Sequence, residues 1–207
     1  MNQKLQSTRP VGPVEKSNRV GRSGGRPTGR VSRRQWLDAA LEVLVSEGVD
    51  AVRVNVLARK LKISKSGFYW HFRDRAELLG AMKVYWVEEF SQQIISEVLS
   101  QSGSVKDRLK YVARVIREKE SGKLDLAFTS WAQSDPEVHT LIDKVRDVRV
   151  EFISDVLSGG ETADREIQSR ARLFVVYFSW SEVMFPSAKE GLDGEDLDQI
   201  LDVICGS

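Results

Sequence analysis

LARKLKISKSGFYWHFRDRAE, residues 57–77, decides how this chain is organised. Leu57, Ala58 and Leu61 sit at helical spacing and give one apolar edge. Lys62 and Ile63 interrupt that helix. Ser64 then reads as an N-cap, because a serine hydroxyl there accepts from the free amides of the next turn. A short helix is expected from Lys65 to about Phe72. Phe68 and Phe72 are four residues apart, so both face inward while Lys65, Ser66, Tyr69, Trp70 and His71 face elsewhere. Two short helices, a tight turn and an outer face of Lys, Ser, Tyr and His make a helix-turn-helix of the kind that enters a DNA major groove.

Working outward, Ser32 and Gln35 form a capping box that opens a helix with Leu37, Ala40, Leu41, Leu44 and Val45 on one stripe. Gly48 is its expected C-terminal stop. The second helix is expected from about Arg53 to Leu61. Asp74 and Glu77 form another capping box and launch a fourth helix toward Ser100. Upstream, residues 1–30 are rich in Gly, Pro, Ser and Arg with little to bury, which predicts a flexible basic arm. Arg22, Arg26 and Arg30 in that arm suit phosphates or an A·T-rich minor groove. A merely solubilising tail is the alternative. The expected organisation is therefore an arm over 1–30, a DNA-binding domain over 31–90 with its helix-turn-helix at 53–72, and a helical body over 91–207.

The charge distribution supports this division. Residues 1–80 carry sixteen Lys or Arg against seven Asp or Glu, a balance of +9. Residues 81–207 carry fifteen against twenty-three, a balance of −8. One end suits nucleic acid and the other avoids it. Cys205 is the single cysteine, so an intrachain disulfide is excluded, which suits a reducing cytoplasm. No apolar run reaches spanning length, and the basic N-terminus lacks the apolar region of a signal peptide, so no membrane association is expected.

The segment RRQWLDAALEVLVSEGVDAVRVNVLARKLKISKSGFYWHFRDRAELL resembles the DNA-binding domain of the TetR family of transcriptional regulators. The resemblance covers about 50 residues. It rests on Leu-Asp-Ala-Ala-Leu in the first helix, Gly48, Leu57-Ala58, Ile63-Ser64-Lys65, Tyr69-x-His71-Phe72 and Glu77-Leu78-Leu79. It implies that Lys65 reaches base edges, where Lys suits guanine O6 and N7, with Ser66 and Gly67 on the same face. It implies phosphate contacts from Tyr69, His71 and Arg75, and contacts to the backbone or the site's edge from Arg53, Val54 and Asn55. Lys62 and Ser64 flank that face, and Trp70 reads either as part of it or as a cover for the short helix. Two departures stand out. Gly67 occupies a position where the family often has a small hydroxyl residue. Lys62 stands where the family usually has a turn glycine, which implies a left-handed penalty but adds charge beside the DNA.

The remaining residues predict an all-α body. Asp135-Pro136 restarts the chain as N-cap and first helical residue, and Gly159-Gly160 stops the long helix that follows. The run LFVVYFSW, residues 173–180, is apolar nearly all round, so its helix is expected to bury one side in its own core and one against a partner. The expected partner is a second copy, through helices near 165–185 and 192–204. Two-fold symmetry would pair two recognition helices on double-stranded palindromic operator DNA. The resemblance also implies a pocket for an unidentified small-molecule effector. Tyr111, Phe128, Trp131, Tyr177 and Trp180 are candidates for its wall, and each also reads as plain core. The resulting expectation is a homodimeric repressor released from its operator by that effector. The alternative is a sequence-tolerant, architectural DNA binder working through the basic arm. Two histidines, one cysteine and no phosphate loop or metal-ligand cluster leave an enzyme little to work with, so neither catalytic residue, metal nor cofactor is expected.

Overall fold

A computed structural model describes residues 31–184 and 195–206 of the chain. Arg22, Arg26 and Arg30 of the expected arm lie outside these residues, as do 185 and 192–194 at the ends of the two helices expected to meet a second copy. Among the described residues there is no strand, and nine α-helices follow one another. They are α1 (Arg33–Glu47), α2 (Val54–Lys60), α3 (Arg75–Val87), α4 (Gln93–Leu99), α5 (Val105–Glu118), α6 (Ser121–Ala132), α7 (Pro136–Ser158), α8 (Arg165–Met184) and α9 (Glu195–Cys205). None of the described helices is long and apolar enough to cross a membrane.

Local chemistry sets most boundaries. The Ser32 hydroxyl accepts from the Gln35 amide at 3.2 Å, and the Ser32 amide donates to Gln35 Oε1 at 2.8 Å, so the first capping box forms as written in the sequence. Ser104 and Asp107 repeat the device at the start of α5. Asp135 caps α7 by accepting from the Glu137 and Val138 amides, with Pro136 in the first turn. Gly159, at φ +67°, ends it in a left-handed cap. At α3 the expected box closes differently. Asp74 accepts from the Glu77 amide, but the Glu77 carboxylate reaches one residue further back, to the amide and guanidinium of Arg73.

The expected single helix from residue 74 to 100 is two, α3 and α4, joined by a π-helical turn over Glu88–Gln92. Such a turn carries an extra residue and rotates the side chains beyond it. Phe90 and Ser91 thereby face the interior of the body.

Two apolar cores stack along the molecule. The first joins Trp36, Leu44, Leu57, Phe68, Phe72, Leu78 and Met82 with Trp86, Phe128, Trp131, Val138 and Val145. The second joins α4, α5, the end of α7, α8 and α9 around Ile94, Leu109, Ile153, Phe174 and Leu201. A boundary near residue 90 therefore does not separate the cores, because the first one continues into α6 and α7. Trp86 stacks on Phe128 with ring centres 4.2 Å apart. Polar contacts reinforce the same junction. The Tyr85 hydroxyl donates to Asp38 at 2.6 Å, and burial together with that carboxylate pushes its pKa up. Lys83 bridges Asp135 and Glu137 at 3.0 and 3.1 Å. Burial opposes its charge, but these hydrogen bonds outweigh that and raise its pKa.

α6 and α8 approach closely at Gly122. A Cβ there would lie 2.5 Å from the Ser179 carbonyl oxygen. Backbone cannot move aside as a flexible side chain can, so Gly122→Ala should cost about 1–3 kcal/mol by overpacking, read as a lower urea midpoint with an unchanged slope.

Candidate nucleic-acid interface and effector cavity

The recognition segment is a 3₁₀ helix over Lys65–Trp70, shorter and tighter than the helix to Phe72 that the spacing suggests. It has no room to be stable by itself. Phe68 and Phe72 hold it instead, each almost fully buried, with Phe68 edge-on to Trp36 at 5.4 Å and tilted against Phe72 at 5.2 Å. Their burial turns Tyr69 and Trp70 outward, at 61% and 73% exposure, beside exposed Lys65 and Ser66.

The turn before it is a Schellman motif. The Ile63 amide donates to the Ala58 carbonyl at 3.0 Å, and the Lys62 amide to that of Arg59 at 3.1 Å. Lys62 takes the left-handed position at φ +55°, where glycine is unstrained. This chain keeps the turn at a cost of about 1 kcal/mol and gains an exposed ammonium next to the recognition segment.

Several site residues are placed otherwise than expected. Ser64 has the extended backbone of an N-cap but its side chain caps nothing; its hydroxyl pairs with that of Ser66 at 2.7 Å. Gly67 is turned inward, where a Cβ would meet Ile63 and Trp36 at ordinary contact distance, so it does not share the outer face of Ser66. His71 is half-buried, and its Nε2 donates to the Val31 carbonyl at 2.8 Å, which fixes the residue where the arm joins α1. Arg75 donates from Nε to the Val52 carbonyl at 2.7 Å and from a terminal nitrogen to that of Val49 at 2.6 Å. Its guanidinium ties α3 to the loop before α2 and is spent on the protein's own backbone. Arg53 precedes α2 and donates to the Asp50 carbonyl at 2.7 Å. Asn55 beside it is exposed and Val54 half-buried.

The expected aromatic pocket does not assemble. Phe128 and Trp131 belong to the first core, their rings 5.5 Å apart. Tyr111 donates to Glu97 at 3.2 Å near the surface, and Tyr177 packs edge-on to Phe178. Trp180 alone of the five borders an internal space. That space consists of two small cavities, of about 40 and 60 Å³, which share Asp125, Arg149, Val175 and Ser179 in their walls. Phe90, Ser91 and Ser121 line the first, and Trp86 and Trp180 the second. Between them Arg149 grips Asp125 with two hydrogen bonds, at 2.6 and 3.2 Å. It also donates to the Ser91 hydroxyl and to the Phe90 carbonyl, each at 3.2 Å. A signal for this pair existed in the sequence. Arg149 falls on the inward stripe of α7, between Val145 and Phe152, where a charge needs a buried partner.

The family model described as bacterial regulatory proteins, tetR family, matches residues 37–82. Over those residues the chain is similar to the N-terminal domain of that family. The tetracycline repressor protein class D of Escherichia coli is 40% identical over 55 residues, which are 27% of this chain and 25% of that protein. The match spans between 24% and 38% of the length of such relatives. The fold likeness reaches much further. A transcriptional regulator from Rhodococcus sp. Rha1 aligns over 85% of this chain and 95% of its own at a TM-score of 0.64 and 19% identity. AibR in complex with isovaleryl coenzyme A and operator DNA aligns over 86% and 97% at 0.56 and 21% identity. At such identities the likeness establishes the fold.

The inward turn of Arg75 is testable. Arg75→Met keeps the stem and removes both backbone contacts, and should lower stability by about 1–3 kcal/mol in a denaturant titration. A stability equal to the parent's would show that the side chain faces outward in solution.

Proposed function

We propose that the protein is a homodimeric transcriptional repressor that binds a palindromic operator and leaves it when a small molecule occupies the body. The observation that carries this reading is the outer face of the recognition segment. Lys65, Ser66, Tyr69 and Trp70 project from a six-residue helix anchored by buried Phe68 and Phe72. Lys65 has the chemistry to read guanine in a major groove, and Tyr69 with Lys62 to hold phosphates. Arg53 and Asn55 are exposed and Val54 half-buried at the start of α2, and Arg22, Arg26 and Arg30 precede α1 in the sequence with charge suited to phosphates. The tetracycline repressor name among the relatives and the operator-bound fold neighbour support the same reading.

The surface of α8 supports a dimer. Phe174 and Phe178 are buried in the second core, yet Leu173, Val176 and Met184 of the same helix are exposed, as is Val148 on the adjacent α7. An apolar stripe on both sides of one helix fits a second copy packed on α8 and α7. α9 does not extend this face as expected. Leu201 and Ile204 are buried in its own chain, and Asp198 and Asp202 pair with Lys106 and Lys110 of α5. These contacts favour an interface on α8 with α7, with Val203 the exposed apolar residue that α9 offers.

The basic arm also fits a sequence-tolerant binder, favoured by the +9 balance of residues 1–80. Footprinting of genomic fragments at moderate salt separates the two. A regulator protects one palindrome, whereas a charge-driven binder coats all fragments and falls away as salt rises. Lys65→Ala should weaken operator binding about tenfold or more and relax preference at one base pair, while Tyr69→Phe weakens binding with little change in preference. Unchanged operator binding by Lys65→Ala would remove that contact from the reading. Sedimentation should give a dimer for the parent and a monomer for Val176→Glu; a parent monomer at micromolar concentration contradicts the two-fold arrangement.

A further inference from the structure

We propose that the effector is an apolar molecule ending in a carboxylate, and that it binds by taking the Arg149 guanidinium from Asp125. This rests on the effector reading above and names its chemistry. The walls of the first cavity are apolar, from Phe90, Ile94, Val112, Phe152 and Phe174, apart from a small polar cluster around Arg149. Two buried polar groups beside that cluster have no partner. One is the Ser121 hydroxyl, and the other is the indole N–H of Trp86 in the second cavity. An indole nitrogen only donates and a serine hydroxyl can donate, so both suit an acceptor-rich ligand.

The hydrogen bonds decide which half of the ion pair yields. Arg149 is anchored independently of Asp125, by Ser91 and by the Phe90 carbonyl. Among the described residues, Arg149 supplies the hydrogen bonds to the Asp125 carboxylate. An incoming cation would have to strip Arg149 from three groups, whereas an incoming carboxylate has only to replace Asp125. The displaced carboxylate has a destination, since Asp125 also lines the second cavity, where Arg146 stands. The guanidinium keeps a carboxylate partner throughout, and the one negative charge the ligand adds is met where the released Asp125 turns toward Arg146.

Exchange at this point would reach the recognition segment. Ser91 and Phe90 lie in the π-turn that continues α3 out of the head, and Asp125 lies on α6, which packs on α1. Arg149 thus clasps the two routes by which the body holds the head. The cavities, of about 40 and 60 Å³, are below the roughly 300 Å³ at which ligand pockets begin, so a carboxylate must part α6 from the π-turn to enter. A ligand that binds only the parted arrangement shifts the population toward it.

The test titrates the full-length protein, without DNA, with linear carboxylic acids of four to ten carbons and with the matching alcohols and amines. Calorimetry should show at least one acid binding about tenfold or more tightly than its alcohol and amine. Trp86, whose ring lies 5.9 Å from the Arg149 guanidinium, supplies a fluorescence signal. Arg149→Gln should abolish the preference for the acid. Asp125→Asn, which weakens the competitor while leaving Arg149 its other anchors, should raise acid affinity several-fold; it keeps the proposal testable should Arg149→Gln fail to fold. Acids that bind no better than their alcohols at every length, weaker acid binding by Asp125→Asn, or preferential binding of an amine would each overturn the proposal. Operator release is read separately. Acid binding through Arg149 without release would sink the effector reading and leave this site standing, whereas release by a neutral or cationic compound alone would do the reverse.

Discussion

The contact of Phe68 with Trp36 and Phe72 is the one on which the head depends. Six residues of 3₁₀ helix have neither the length nor the hydrogen-bond geometry to persist in water. What fixes them is the transfer of two phenyl rings into a core already built by α1 and α2, worth about 2–3 kcal/mol each. That burial also sets the direction of every other side chain in the segment. With Phe68 and Phe72 inside, Tyr69 and Trp70 have no choice of face, and Lys65 and Ser66 are presented on a surface that the core keeps from rotating. A strained Lys62 in the preceding turn is tolerated because the same aromatic cluster holds the segment on its far side.

The parts legible in the sequence were those decided within a few residues. The Ser32 box, the Asp135-Pro136 start and the Gly159 stop form as their side chains suggest, because a cap needs only its own turn. Ser64 shows how narrow that competence is: a second hydroxyl two residues on was enough to take its hydrogen bond. Long cations are less legible still. Arg75 has the position of a phosphate contact, but two backbone carbonyls more than twenty residues away compete for it, and nothing local marks them. The cavity was misplaced for a related reason. Aromatic residues were the obvious wall, yet Phe128 and Trp131 are large enough to be drawn into the first core. The groups left around the cavity are Arg149, Asp125 and Ser91, which come together only when α6, α7 and the π-turn meet.

The π-turn connects these levels. One extra residue between α3 and α4 turns Phe90 and Ser91 toward Arg149, and the same rod carries Leu78, Met82, Tyr85 and Trp86 into the first core. The helix that leaves the DNA-facing end is therefore held at two points along its length, by aromatic stacking at Trp86 and by the guanidinium four residues further on.

Because Trp86 stacks on Phe128, the boundary between head and body is not a place to cut or splice. A fragment ending at residue 90 would expose an indole, a methionine and the inner side of α1 that α6 now covers. A chimera carrying this head on another helical body would need a phenyl ring at the height of Phe128 to close the joint. Grafting this head elsewhere would accordingly have to carry α6 and the first half of α7 along with residues 31–90, treating them as one transplantable unit.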